Sequence, residues 1–197
     1  MGAALAAAAV ARGAKVTLIA GPGTPAVAGV DRVDFETAAD LERALTAAAA
    51  DADVVVMAAA VADFRPAQRA PGKLSRRAGE LALVLAPVPD LLAGLAGARR
   101  NGRPYLVGFA AETGGGALLT GRATAKLGEK GCDAIVANDV SAPGIGFDAD
   151  DNEVTVLFVG GERIEIGRAS KRAIADRLWD LFAGRLAPAS PRGVVHA

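Results

Sequence analysis

Residues 105–113 read YLVGFAAET, an apolar run that passes directly into a polar cluster. Two more stretches follow the same plan: ADVVVMAAAVADFRP at residues 52–66 and DAIVAND at residues 133–139. Each pattern predicts a buried parallel strand whose carboxyl end opens into a functional loop. Because ligands of open α/β sheets bind in the crevice outside those carboxyl ends, the three stretches predict one composite site.

The segments between these strands have helical patterns, which predicts an α/β fold. We expect a doubly wound, Rossmann-like, mostly parallel sheet with a late β-hairpin across Gly160 and Gly161. The alanine-rich residues 2–12 predict an opening helix, so the first strand usual in such folds is read as missing. Residues 81–85 alternate weakly and are predicted as a strand, and Pro89 is predicted to start a helix.

The composition excludes several classes of protein. Lys+Arg and Asp+Glu balance at 22 each, which argues against bulk electrostatic binding of nucleic acid. A single cysteine and a single histidine allow no disulfide framework or Cys/His metal cluster within one chain. No apolar run is long enough to cross a membrane. We therefore expect a cytoplasmic protein with one domain over residues 1–186 and a disordered tail over residues 187–197.

Charged residues near the strand tips have two interpretations each. Asp63 could orient a ribose, a metal ion or an amino group, or it could simply cap a turn. Lys73 and Arg76 lie in a basic loop that could close over a polyphosphate, or that could be solvated. Lys126 and Lys130 share one helix face, where a bound anion would relieve their mild repulsion. The alternative is an ordinary solvent-exposed helix face.

The uncharged tip residues are equally open to interpretation. The ring of Phe109 could stack on a base or belong to the core. Asn138 and Asp139 could bind a base edge or ribose, or form a turn. Cys132 is expected to pack as a small apolar residue, and His196 lies in the tail.

Four motifs together are more specific than any of these residues alone. They are AAAVADF at residues 58–64, VGFAAET at residues 107–113, KL followed by KG within residues 126–131, and IVAND at residues 135–139. In this order they resemble the phosphopantothenoylcysteine synthetase (phosphopantothenate–cysteine ligase) family, the second half of the bacterial bifunctional coenzyme A biosynthesis protein. The resemblance extends from Met1 to about Phe182.

The resemblance implies a reaction and its partners. Bacterial members use CTP and Mg²⁺ to activate 4′-phosphopantothenate as an acyl-cytidylate, with release of pyrophosphate. The amine of cysteine then attacks, giving phosphopantothenoylcysteine and CMP. The family also implies a homodimer and a fused or partner flavin-dependent decarboxylase domain.

The family pattern also implies roles for individual residues. Lys73 matches the mobile lysine loop and is the implied catalytic residue, with Arg76, Asn138 and Asp139 in support. The implied nucleotide-binding residues are Met57, Ala58, Ala59, Asp63, Lys73, Ala86, Pro87, Val88, Pro89, Phe109, Lys126 and Lys130. The residues that would bind the metal are left unassigned.

Two departures from the family pattern stand out. The lysine loop reads KLSRR at residues 73–77, where the family has Lys-x-Lys-Lys. Family members also carry, before the segment matching Met1, a first strand and a loop whose asparagine handles the acyl-cytidylate. The chain is therefore interpreted as an N-terminally shortened ligase.

Two other functions stay open at this point. A nicotinamide-dependent Rossmann oxidoreductase would need a glycine fingerprint, which Gly21-Pro22-Gly23 does not supply. A nucleotide-binding remnant that dimerises without turnover would keep the binding residues and lack the activity.

Overall fold

The computed structural model describes residues 1–68, 70, 72–74, 80–141, 144–145 and 149–186. Arg76 and the tail over residues 187–197 lie outside the described residues. The described helices are α1 (Gly2–Ala11), α2 (Ala38–Ala49), α3 (Leu91–Ala98), α4 (Gly116–Lys130) and α5 (Lys171–Ala183). The described strands are β1 (Thr17–Ala20), β2 (Asp31–Asp34), β3 (Val54–Met57), β4 (Phe64–Pro66), β5 (Leu85–Pro87), β6 (Tyr105–Glu112), β7 (Ala134–Asp139), β8 (Asp151–Phe158) and β9 (Arg163–Ser170).

The main sheet has five strands in the order β3-β6-β7-β8-β9. Strands β3, β6 and β7 pair in parallel, and the late hairpin of β8 and β9 adds two antiparallel strands. Strands β1 and β2 form a separate parallel pair, and β4 and β5 form an antiparallel arm. This is the mainly parallel α/β architecture that the sequence predicts, including its late hairpin and its opening helix.

Apolar side chains cover the main sheet on both faces. On one face Leu106 and Ile135 pack against helices α2, α3 and α4. On the other face Val107 and Val136 pack against α1 and α5, where Phe182 is fully buried. The alternation of side chains along β6 and β7 therefore supplies both layers, which confirms the doubly wound arrangement. No helix within the described ranges has the length and apolar character needed to cross a membrane.

Local capping signals explain where α2 and α3 begin. Thr37 caps α2 in a reciprocal capping box with Asp40. Asp90 caps α3 by accepting a hydrogen bond from Ala93 N at 3.1 Å. The helix predicted to start at Pro89 therefore starts at Leu91, because the carboxylate of Asp90 satisfies an amide of the first turn.

The segment between β3 and α3 differs from the expectation. The strand predicted over residues 81–85 is wrong in position, because β5 begins only at Leu85 and pairs with β4. Residues 81–84 are exposed, so their alternating pattern does not correspond to a half-buried strand. The end of the first apolar stretch forms a short separate strand, β4, and does not continue β3. The pairing of β4 with β5 depends on contacts between distant residues, which local patterns do not encode.

Candidate functional site

A cavity of about 490 Å³ opens at the carboxyl ends of β3, β6 and β7. Ten of the residues predicted for the site line this cavity: Met57, Ala58, Ala59, Asp63, Val88, Pro89, Phe109, Lys126, Lys130 and Asn138. Four do not line it in the described structure, namely Lys73, Ala86, Pro87 and Asp139. We refer to this cavity as the cleft.

The first strand tip is joined to a distant segment by the arm of β4 and β5. Asp63 O accepts a hydrogen bond from Val88 N at 2.8 Å, next to the β4–β5 ladder. This bond brings Val88 and Pro89 to the tip of β3, although 25 residues separate Asp63 from Val88 in the sequence. Ala86 and Pro87 belong to β5 itself and stay in the arm. The carboxylate of Asp63 is exposed beside the cleft.

The second and third tips contribute a ring and an amide. Phe109 of β6 is half-buried, packing against the core on the α1 and α5 face while lining the cleft. It therefore belongs partly to the core, with an edge still open to a ligand. Asn138 of β7 is half-buried and lines the cleft beside it.

Asp139 has a structural task next to the cleft. Its carboxylate accepts hydrogen bonds from Ser141 N and from Gly115 N, both at 2.9 Å. The hydroxyl of Ser141, its backbone N–H and the backbone N–H of Gly115 hold the pKa of Asp139 below its usual value. Because these bonds fix the turn that leads into α4, Asp139 orients the wall of the cleft without lining it.

The two lysines of α4 reach the cleft already paired with carboxylates. Lys126 Nζ lies 2.6 Å from Glu112 Oε1, and Glu112 is only 8% exposed. Lys130 Nζ donates to Asp90 Oδ2 at 2.7 Å. Burial would raise the pKa of Asp90, but the bonds from Lys130 and from Ala93 N outweigh it and hold the pKa below its usual value. The expected repulsion between the lysines is thus offset by two counter-ions.

The contact between Lys126 and Glu112 is an ion pair with poor hydrogen-bond geometry. Glu112 Oε1 is buried and has no hydrogen-bond partner among the described residues, despite the short distance to Lys126. Arg122 is a second, more distant cation at 3.6 Å from Glu112 Oε2. Because the buried carboxylate of Glu112 is held mainly by charge, it is not a well-aligned hydrogen-bond acceptor for the ammonium of Lys126.

The opposite wall of the cleft contains residues that the motif analysis missed. Asn152 is the second residue of β8 and Lys171 is the first residue of α5, and both line the cleft together with Met1. Burial and, to a smaller extent, repulsion from Lys171 lower the pKa of the Met1 amino group. Since β8 and β9 are antiparallel, the start of one and the end of the other reach the same sheet edge as the parallel tips. The predicted β-hairpin was the sequence feature that could have indicated this wall of the cleft.

The basic loop is only partly described. Lys73 is exposed and does not line the cleft, while Arg76 lies outside the described residues. The implied catalytic role of Lys73 remains a prediction. Among the residues with described positions, no group of three or more His, Cys, Asp or Glu side chains comes together as a metal cage.

Known proteins resemble this chain over nearly its whole length. The family model of the DNA/pantothenate metabolism flavoprotein C-terminal domain matches residues 1–185. The coenzyme A biosynthesis bifunctional protein CoaBC of Escherichia coli (strain K12) is 42% identical over 168 residues, covering 83% of this chain and 40% of that protein. CoaBC of Mycobacterium tuberculosis (strain H37Rv) is 42% identical over 189 residues, covering 91% and 44%.

A solved structure agrees with these sequence matches. The C-terminal domain of CoaBC has a TM-score of 0.76 and 32% identity, covering 94% of this chain and 81% of that chain. The chain spans less than half the length of the curated relatives named above. These matches confirm both the resemblance and the fold class.

Proposed function

We propose that this chain, which belongs to the DNA/pantothenate metabolism flavoprotein C-terminal domain family, is a CTP-dependent phosphopantothenate–cysteine ligase domain of coenzyme A biosynthesis. The observation that carries the proposal is the cleft itself, which is lined by nine residues that the resemblance assigns to nucleotide binding and by Asn138, which it assigns a supporting role. Membership of this family favours the ligase over the nicotinamide oxidoreductase.

The proposed chemistry has two steps. A carboxylate oxygen of 4′-phosphopantothenate attacks the α-phosphorus of CTP, and the bond to the β-phosphate breaks to release pyrophosphate. The amine of cysteine then attacks the acyl carbon, loses a proton, and displaces CMP. Neither step needs a protein nucleophile, so positioning and electrostatic stabilisation are the main tasks of the protein.

Each wall residue has a proposed part in binding CTP. The segment from Met57 to Ala59 and the carboxylate of Asp63 hold the nucleoside at the tip of β3. The ring of Phe109 and the segment 86–89 enclose the cytosine; Val88 and Pro89 support this assignment because they line the cleft. Asn138 serves as a supporting donor, and Asp139 supports through the turn that it fixes.

Lys126 and Lys130 are proposed to bind the triphosphate. Both lysines line the cleft, and their side chains are 40% and 30% exposed, so a phosphate can approach them. The carboxylates of Glu112 and Asp90 hold them in place before the nucleotide arrives. Lys73 is proposed to close over the activated acid from its exposed loop, with Arg76 supplying a second charge.

Magnesium is proposed to enter with the nucleotide. The cleft offers the carboxylates of Asp63 and Asp90, and Mg²⁺ is commonly held by one or two carboxylates together with substrate phosphates. The described donors fit that arrangement better than a cage made only of protein ligands. When bound, the ion would neutralise charge on the phosphates.

The assembly and its setting are also proposals. We expect a cytoplasmic homodimer and, because the relatives are bifunctional proteins, a fused or partner flavin-dependent decarboxylase domain. The arm and the two residues before it support the dimer, since Phe64, Leu83, Val84 and Leu85 expose between 51% and 74% of their surface. Sedimentation equilibrium would reveal a monomer if this expectation is wrong.

Pyrophosphate release tests the proposed activity directly. The chain is incubated with phosphopantothenate, Mg²⁺ and either CTP or ATP, with and without cysteine. We expect release with CTP, and formation of the amide only when cysteine is present. Release with ATP but not CTP would contradict the nucleotide assignment.

Calorimetry separates turnover from simple binding. Titration of the same chain with CTP distinguishes a ligase from a binding remnant, because the remnant would bind CTP and release no pyrophosphate. Failure to bind CTP at all would overturn the ligase proposal for this chain.

A further inference from the structure

The two lysines of α4 have counter-ions that differ in one respect. Lys126 pairs with Glu112, which is 8% exposed and is not among the described residues that line the cleft. Lys130 pairs with Asp90, which lines the cleft itself and exposes 45% of its side chain. An ion in the cleft can therefore reach the carboxylate of Asp90, whereas the fold shields the carboxylate of Glu112.

Both carboxylate oxygens of Asp90 accept hydrogen bonds. Oδ1 accepts one from Ala93 N at 3.1 Å and so caps α3, and Oδ2 accepts one from Lys130 Nζ at 2.7 Å. The first bond is local to α3, whereas the second is made by the end of a flexible side chain from another helix. Oδ2 is therefore the oxygen whose partner can be exchanged.

The helix ends favour this ion pair when the cleft holds no ligand. Asp90 is the N-cap of α3, and Lys130 is the last residue of α4. Helix dipoles favour an acidic group at the first of these positions and a basic group at the second. The pair is stable for this reason, and because its two charges cancel it adds little net attraction for a triphosphate.

A divalent cation would compete with Lys130 for Asp90 Oδ2. Mg²⁺ binds a carboxylate oxygen at about 2.1 Å and is commonly held by one or two carboxylates together with substrate phosphates. With Lys130 Nζ at 2.7 Å from the same oxygen, the two cations would lie less than about 5 Å apart. Like charges this close repel each other in a partly desolvated site. Asp90 Oδ2 is therefore suited to the ion only when Lys130 has left it.

The nucleotide would give Lys130 another acceptor. The ligase proposed above places the triphosphate beside Lys126 and Lys130, and phosphate oxygens are good acceptors for an ammonium group. Lys130 lines the cleft with a side chain that is 30% exposed, so it can turn from Asp90 to a phosphate and remain in the cleft. Asp90 Oδ2 is then open to the ion that accompanies the phosphates.

We propose that Lys130 occupies the metal-binding carboxylate of Asp90 until the nucleotide arrives, and that the divalent cation then replaces it there. This inference rests on the proposed ligase function and adds a coupling between two of its ligands. Before binding, Lys130 neutralises Asp90. After binding, the ion neutralises Asp90 and Lys130 neutralises phosphate. Metal and CTP therefore bind cooperatively through this one ion pair.

Calorimetric titration of the 197-residue chain with CTP, once in excess Mg²⁺ and once in EDTA, tests the exchange. Asp90→Asn keeps a good N-cap for α3 but removes the charge that holds Lys130. In EDTA this variant should bind CTP about tenfold more tightly than the unsubstituted chain, because Lys130 is released and no carboxylate repels the triphosphate. Mg²⁺ should improve its CTP affinity much less than it improves that of the unsubstituted chain.

Lys130→Met should change the response to Mg²⁺ in the opposite direction. It leaves the Asp90 carboxylate without its counter-ion, so CTP should bind about tenfold more weakly in EDTA. Mg²⁺ should then improve the affinity more than in the unsubstituted chain, because no lysine competes for Asp90. The double variant Lys130→Met/Asp90→Asn should respond as weakly to Mg²⁺ as Asp90→Asn does. Since Mg²⁺ binds free CTP equally in every sample, differences between variants come from the protein.

Lys126→Met is the matched control, because its counter-ion Glu112 is not among the described residues lining the cleft. The substitution removes a phosphate contact without exposing a carboxylate to the ion. It should therefore weaken CTP binding about tenfold both in Mg²⁺ and in EDTA. Urea denaturation of each variant checks that the samples are folded at the temperature of the titration.

The outcomes separate this inference from the ligase proposal. Weaker CTP binding by Asp90→Asn in EDTA would overturn the exchange, because the carboxylate would then support the nucleotide without a metal. An unchanged response to Mg²⁺ in both single variants would also overturn it, by placing the ion away from Asp90. In both cases CTP binding by the unsubstituted chain would leave the ligase proposal standing. If the unsubstituted chain binds no CTP, both proposals fall together.

Discussion

Two cavities of about 490 Å³ lie at opposite edges of the same sheet, and both are lined by charged residues. At the amino-end edge, Arg99 donates to Asp133 Oδ2 at 2.5 Å and to Gly131 O at 3.1 Å, and Leu106 N donates to the same carboxylate oxygen at 2.7 Å. These bonds tie the end of α3 to the starts of β6 and β7. The charges of Arg99 and Asp133 at this edge therefore hold these elements together.

The carboxyl-end edge uses similar residue types differently. Lys126 and Lys130 have one carboxylate partner each, and their flexible side chains stay within reach of the cleft. Cavity volume and charge therefore do not by themselves identify a ligand site. What distinguishes the two edges is whether the charged groups bridge backbone elements or remain available to a ligand.

The largest expected effect is at the amino-end edge. Asp133→Ala should lower the free energy of unfolding by about 3 kcal/mol, because it leaves Arg99 without its counter-ion and Leu106 N without an acceptor. Urea denaturation measures this loss. CTP affinity of the folded protein should be unchanged, and Asp133→Asn should cost less. A large loss of CTP affinity would contradict the separation of the two edges.

A substitution in the middle of β6 tests whether a packing change between the two edges also alters ligand binding in the cleft. Gly108 closely approaches other side chains, and an added Cβ would lie 2.7 Å from both Ile135 Cδ1 and Leu92 Cδ2. Gly108→Ala should therefore cost about 2 kcal/mol by overpacking. Because Leu92 also lines the cleft, CTP affinity should fall severalfold.

Gly121→Ala is the matched control for that substitution. Gly121 lies within α4 and an added Cβ would meet open space, so this variant should gain up to about 1 kcal/mol. Equal thermal stability of the two alanine variants would contradict the packing argument.

At the carboxyl-end edge, Lys126→Met should affect binding more than stability. We expect about tenfold weaker CTP binding and a loss of about 1.5 kcal/mol of stability, since Glu112 loses its nearest cation. The double variant Lys126→Met/Glu112→Gln should regain the stability without regaining CTP affinity. Calorimetry and urea denaturation on the same samples measure both quantities. Recovery of CTP binding in the double variant would show that Lys126 does not bind the nucleotide.

The smallest expected effect lies away from both edges. Thr37→Ala removes the side-chain acceptor of the α2 capping box and should cost about 1 kcal/mol, while Thr37→Ser should retain most of the stability. Neither variant should change CTP affinity. A shift in CTP binding here would mean that general destabilisation, rather than the site, explains the losses at the carboxyl-end edge.

Local patterns in the sequence were sufficient for the main elements. The apolar runs ending at Met57, Glu112 and Asp139 predicted three parallel strands, and the two glycines at residues 160–161 predicted the hairpin of β8 and β9. Strand alternation and helix capping are short-range effects, so they can be recognised without the tertiary structure. The same runs located most of the cleft, because the carboxyl ends of parallel strands share one edge.

The elements that were predicted wrongly or missed depend on distant contacts. The position of β5 follows from its pairing with β4, and the counter-ions Glu112 and Asp90 meet their lysines only after α3 and α4 pack on the sheet. Asn152 and Lys171 join the cleft because two antiparallel strands return the chain to the same edge.

By itself, therefore, the sequence determined the α/β class, the three strand tips and the family motifs, all of which are local in the chain. Only the tertiary structure decided which charged groups are paired, which are left facing the cleft, and that the cleft has a second wall. The physical reason is that a side chain's partner and its burial depend on elements far apart in sequence, and these two properties decide whether a charge stabilises the fold or remains available to a ligand.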